Sequence, residues 1–129
     1  MRPSSTKPGA DRRKSAERAG RRAETVAAWY LRLKGYRILH FRFKTKVGEI
    51  DLIARKGRTI VIVEVKHRTR TDALALATAL EAVNTARIVR ATEWFMARHP
   101  AYHGYDFRFD VIALAPRRWP HHLVNAFSA

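Results

Sequence analysis

Between positions 15 and 34 apolar residues return every three or four places: Ala19, Ala23, Val26, Ala27, Tyr30, Leu31 and Leu33. That spacing lays one apolar stripe along a helix. Ser15 is a candidate N-cap, and Gly35 stands where such a helix would stop. Residues 36–44 (YRILHFRFK) then alternate loosely, with Ile38 and His40 on one side and Leu39, Phe41 and Phe43 on the other. This predicts a strand near an edge. Residues 49–54 and 59–67 make two further strands around a turn at Arg55-Lys56-Gly57-Arg58. Positions 60–65 are apolar on both faces apart from Glu64, the pattern of a central strand covered on both sides.

An alanine-rich helical segment follows, capped at Thr71-Asp72, running to about Arg98 and with a candidate break at Val83-Asn84. Residues 106–113 (DFRFDVIA) predict a fourth strand and residues 123–127 a short fifth. The order describes an α/β fold, a mixed β-sheet flanked by helices with an α-β-β-β-α-β core. Residues 1–14 (MRPSSTKPGADRRK) show no apolar recurrence and three structure breakers. They read as a disordered basic arm, either phosphate-contacting or inert, ahead of a single domain over 15–129.

Charge changes this picture. Of 129 residues, 26 are Lys or Arg against 11 Asp or Glu, a formal net charge of +15. Such an excess repels itself in a compact chain, so a polyanion is the natural partner, nucleic acid first. There is no cysteine. This excludes thiolate chemistry and disulfides, and fits a reducing cytoplasm. No apolar run is long enough to span a bilayer, and no signal-peptide core is found near Met1. The absence of a Gly-rich phosphate loop argues against an NTPase.

The chemistry concentrates in GEIDLIARKGRTIVIVEVKHRT, residues 48–69, where Gly48 ahead of the acidic strand suits a turn or the close approach of a ligand backbone. Alternation along strands puts Glu49 and Asp51 on one face of the first, and Glu64 and Lys66 on one face of the second. A hairpin closed near Gly57 pairs residues whose numbers sum to about 115, which sets Asp51 opposite Glu64. Two carboxylates about 4–5 Å apart need protons, Lys66 or a cation between them. Mg²⁺ or Mn²⁺ suits such oxygen ligands, with the Val65 carbonyl as a further ligand and Lys66 orienting a water. The plainer reading is an ordinary cross-strand ion pair. Arg68 and Arg70 past the strand are phosphate clamps or loop charges, and Arg87 and Arg90 share one helical face. Trp29, Trp94 and Trp119 read as core or its flank, with no stacking platform for single strands, and His121-His122 as a turn. Asp110 reads as a structural residue.

The stretches GEIDLIA, VEVKHR and RFDVIAL closely resemble the YraN-like family of bacterial proteins, grouped with the PD-(D/E)xK nucleases. The resemblance runs from about Gly20 to Phe127. It implies a restriction-endonuclease-like fold, akin to Holliday-junction resolvases, and metal-dependent DNA cleavage. Asp51 and Glu64 become metal ligands and Lys66 the catalytic lysine. A G-x-x-x-E-x-x-A setting, here Gly20, Glu24 and Ala27, makes Glu24 a candidate third acid. Ile50 stands where the archetype has proline, and Arg87 where these relatives carry lysine. Junction cutting would require two sites, hence a homodimer. The competing function is a non-catalytic nucleic-acid-binding protein, for DNA or RNA, with a vestigial charged cluster.

Overall fold

The computed structural model describes residues 8–69, 73–81 and 83–128. The chain runs α1 (Pro8–Leu33), β1 (Arg37–Lys44), β2 (Glu49–Lys56), β3 (Thr59–His67), α2 (Ala73–Glu81) and α3 (Thr85–Arg98). A 3-10 turn at Pro100–Tyr102, β4 (Asp106–Leu114) and β5 (His121–Phe127) complete it. The strands form one sheet in the order β1-β2-β3-β4-β5. Only β3 and β4 are parallel, and α2 and α3 supply the crossover that a parallel pair needs. This is the mixed α/β arrangement that the pattern predicts, and it is consistent with the restriction-endonuclease-like fold that the resemblance implies.

Helix α1 begins at Pro8, ahead of the Ser15 start, so residues 8–14 are helical rather than an irregular arm. Proline suits the first helical position, and Arg, Lys, Glu and Ala are good helix formers. Missing apolar periodicity there marked exposure, and residues 12–19 are indeed exposed. The helix ends as expected. Gly35 adopts φ 91°, its N–H donates to the Arg32 carbonyl, and the Tyr36 N–H donates to the Leu31 carbonyl. That pair of bonds is a Schellman closure, sealed by packing Tyr36 with Leu31.

The break near Val83-Asn84 separates two helices, with Asn84 capping α3 through its side chain and the Arg87 N–H. Thr71, Asp72 and Arg70 lie outside the described residues.

The sheet is covered on both faces. Ala23, Ala27, Ala28 and Leu31 of α1 pack on Leu52, Ala54, Val61, Val63 and Ile112. Ile88, Ala91 and Phe95 of α3 pack on Ile53, Ile60, Ile62 and Val111. Residues 60–63 are wholly buried, each such side chain contributing about 1.5–3 kcal/mol of burial. This is why β3 reads as an unbroken apolar run.

At the other edge, His121-His122 open β5 instead of making a turn. The His122 ring belongs to a buried polar network that alternation could not foresee. Asp110 is 0% exposed and accepts from Arg108 Nε at 2.9 Å, Arg108 Nη2 at 2.8 Å, the Asn125 N–H at 2.9 Å and His122 Nε2 at 2.7 Å. Arg108 reaches on to the Tyr36 hydroxyl at 2.6 Å. Burial alone would raise the Asp110 carboxyl, but the His122, Arg108 and Asn125 hydrogen bonds outweigh it and hold it below its ordinary value. The stabilisation is therefore complete above the unfolded value near 3.8 and is lost as pH falls through the lower folded value. Asp110→Ala is expected to cost about 3–5 kcal/mol in urea unfolding at neutral pH, and to flatten the acid limb of the stability curve.

Candidate active site

The β2–β3 ladder runs from Lys56↔Thr59 to Leu52↔Val63, the register with Asp51 next to Glu64. Beyond Leu52 the strands stop exchanging backbone bonds. Ile50 and Ile53 both enter the core beneath α3, whereas Leu52 and Ala54 face α1. Strict alternation thus breaks at Asp51. Its Oδ2 accepts the Val65 N–H at 2.8 Å, doing the work of a ladder carbonyl. Since a strand residue turns its N–H and C=O to the same side, the Val65 carbonyl faces the same opening.

Regular alternation puts Glu64 and Lys66 on the α3 side of β3. Glu49, Asp51, Glu64 and Lys66 line a cleft of about 330 Å³, closed opposite by Asn84, Arg87 and Ile88. The Lys66 ammonium lies 3.9 Å from Glu64 Oε2. Glu64 Oε1 is buried with no hydrogen-bond partner among the described residues. A bare carboxylate oxygen in such a place is costly. Burial pushes the Glu64 carboxyl up to about 8, with Asp51 adding to the rise and Lys66 opposing it. Burial likewise pushes Asp51 up to about 6, opposed by the Val65 N–H and reinforced by Glu24.

Gly48 sets the width of the cleft. A Cβ there would lie 2.6 Å from the Arg87 carbonyl oxygen, so the entry to β2 approaches the first turn of α3 without a side chain between. The close approach that this glycine suggests is to α3, not to a ligand. A Thr45 hydroxyl bonded to the Val47 and Gly48 N–H groups holds the turn.

The other candidates are spread around this centre. Glu24 is buried on α1, and its Oε1 accepts from Arg42 Nε at 2.6 Å. It does not line the cleft, although its charge is felt at Asp51. Arg42 has φ 51°, a left-handed residue within β1, and its side chain reaches Glu24 on α1. Arg87 is exposed and lines the cleft, whereas Arg90, one turn on, is exposed outside it. Arg68 Nη1 donates to the neighbouring His67 carbonyl. Asn84 enters the lining unforeseen, since its sequence signal was that of a helix break. Glu49 joins it from the motif itself.

No three Asp, Glu or His groups gather into a metal cage among the described residues. The donor set nevertheless fits a divalent ion that keeps several waters: Asp51, the unpartnered Glu64 Oε1 and the Val65 carbonyl are all oxygen donors at one opening. Mg²⁺ and Mn²⁺ take such sets.

Residues 23–114 match the model of the uncharacterised protein family UPF0102. The chain belongs to the UPF0102 family. It is the YraN-like family that the motifs resemble. The chain is 52% identical to a UPF0102 protein of Methylorubrum extorquens (strain PA1), covering 93% of this chain and 91% of that protein. A UPF0102 protein of Chelativorans sp. (strain BNC1) is 50% identical over 94% and 98% of the two chains. One of Parvibaculum lavamentivorans is 48% identical over 88% and 84%. The UPF0102 match takes in Glu24, Asp51, Glu64, Lys66, Arg87 and Arg90, and stops before β5.

Proposed function

We propose that this UPF0102 protein is a metal-dependent endonuclease that hydrolyses DNA phosphodiester bonds. The observation that carries the reading is the opening between β2 and β3, where Asp51 leaves the ladder and Glu64 keeps an unpartnered buried oxygen beside Lys66. A structural ion pair would satisfy both carboxylate oxygens. Here one is left without a partner, in a residue that lines the cleft.

Asp51, Glu64 and the Val65 carbonyl would hold Mg²⁺ or Mn²⁺, which supplies Lewis acidity toward a phosphate and lowers the pKa of a bound water. Lys66 stands at the same opening, where its ammonium can orient water and favour negative charge developing on phosphate. Arg87 at the rim, with Arg90 on the same helical face, offers contacts to the phosphate backbone. Glu24 acts from behind, holding Arg42 and adding negative potential at Asp51. Branched or deformed DNA and a homodimeric assembly follow from the resolvase-like resemblance.

The test is incubation of purified protein with linear, branched and single-stranded DNA, each with Mg²⁺, with Mn²⁺ and with chelator. Metal-dependent nicking is expected, and Asp51→Asn should abolish it. Metal-insensitive binding without cleavage of any substrate would instead favour a non-catalytic nucleic-acid-binding protein.

A further inference from the structure

The face of α1 turned away from the sheet is unusual for an exposed helix. Val26, Trp29 and Leu33 recur along it, with Trp29 60% and Leu33 75% exposed. Trp119, 76% exposed, stands in the β4–β5 loop beside Tyr30 of the same helix. These are the residues that the sequence pattern assigned to the core or its flank. The structure leaves Trp29 and Trp119 in solvent.

Each aromatic ring here is matched with a cation or another ring. Arg32 lies over Trp29, with its guanidinium carbon 5.3 Å from the ring centre. Lys34 lies over Tyr30 at 5.1 Å, and Tyr30 meets Trp119 at 6.5 Å. The loop that raises Trp119 reads Pro116-Arg117-Arg118-Trp119-Pro120. Arg117 is held at φ 59°, a strained conformation for a residue with a side chain. Between α1 and this loop runs a groove of about 330 Å³ with Arg22, Val26 and Arg118 on its walls. Neither segment that builds this surface after Glu24, residues 25–48 and 111–129, contains an acidic residue.

We propose that this surface is a second nucleic-acid site, one that stacks unpaired bases on Trp119 and Trp29 while Arg22, Arg32, Lys34 and Arg118 follow the phosphates. Single-stranded nucleic acid is the occupant that answers every feature. Aromatic rings stack on any base, cations meet the backbone, and a paired duplex would keep its bases from the rings. A second copy of the chain is disfavoured, because two such faces would oppose arginine with arginine. The surface lies on the α1 side of the sheet, whereas the Asp51–Glu64 cleft opens on the α3 side. Binding there needs neither metal nor cleavage, so it goes beyond the endonuclease reading and survives its failure.

The experiment is fluorescence anisotropy of a labelled oligo(dT) of about 12 nucleotides, without divalent ions, against the full chain. Trp119→Ala and Trp29→Ala are each expected to weaken binding by about 5- to 100-fold, with Trp119→Phe retaining most of it. Arg118→Ala should reduce the dependence of binding on salt. Both tryptophans are exposed, so unchanged melting of their variants serves as the folding control. The proposal is overturned if both alanine variants bind oligo(dT) like the wild type. It is also overturned if they weaken duplex binding by as much, or lose only binding to anionic lipid vesicles.

Discussion

Glu64→Gln is expected to melt higher than the wild-type chain at pH 8 without metal, by several degrees. The wild-type carboxyl is raised from its ordinary 4.5 to about 8 by burial and by Asp51. A group whose folded value is raised gives full stability below its unfolded value, and that stability is lost as pH rises toward the folded value. The variant's advantage should therefore be absent near pH 4, grow between about 4.5 and 8, and level off above. Relief of roughly 1–3 kcal/mol is the scale expected for removing a buried carboxylate with an orphaned oxygen, about 4 °C for each kcal/mol. Addition of Mn²⁺ should reverse the ranking, raising the melting temperature of the wild type and not of Glu64→Gln. If the glutamine variant is less stable at every pH, Glu64 is a structural ion-pair partner of Lys66 and the metal reading fails. A residue that destabilises the empty fold and is stabilised by a ligand is what a functional site requires.

Lys66→Ala is the second large effect. If Lys66 acts on the phosphate or its attacking water, removing the ammonium should lower the cleavage rate by about 10²–10⁴-fold. Metal-induced stabilisation should survive, because the oxygen donors remain. DNA affinity should fall only modestly, since one cation among 26 Lys and Arg is lost. Single-turnover cleavage, thermal shift with Mn²⁺ and anisotropy with uncleavable substrate separate the three readouts. Equal cleavage by wild type and variant would assign the activity to a contaminant. A collapse of metal binding together with cleavage would make Lys66 a structural counter-charge to Glu64 rather than a catalytic group.

Much of this site was legible before any coordinates. Acid, turn, apolar strand and E-x-K appear in one hairpin of 22 residues, so local register alone brings Asp51 to Glu64, and the ladder sums as alternation demands. The role of Gly48 was only half legible, because a missing side chain announces a close approach without saying what approaches. Asn84 was hidden for a similar reason: its local signal is a helix cap, and its place on the cleft depends on how α3 lies across β2.

The amino-acid sequence by itself determined the elements, the edge and central character of the strands, the two-sided core and the acid-acid-lysine hairpin. Each of these is written in short-range periodicity and in the alternation of a pleated strand. Tertiary structure alone decided that Glu24 would be met by Arg42, that Asp110 would gather Arg108, His122 and the Asn125 amide, and that Trp29 and Trp119 would stay in solvent. Apart from Arg108, two places from Asp110, those outcomes join residues 12 to 18 positions apart, or join none at all. No local pattern distinguishes a ring that will be covered from one that will be left bare.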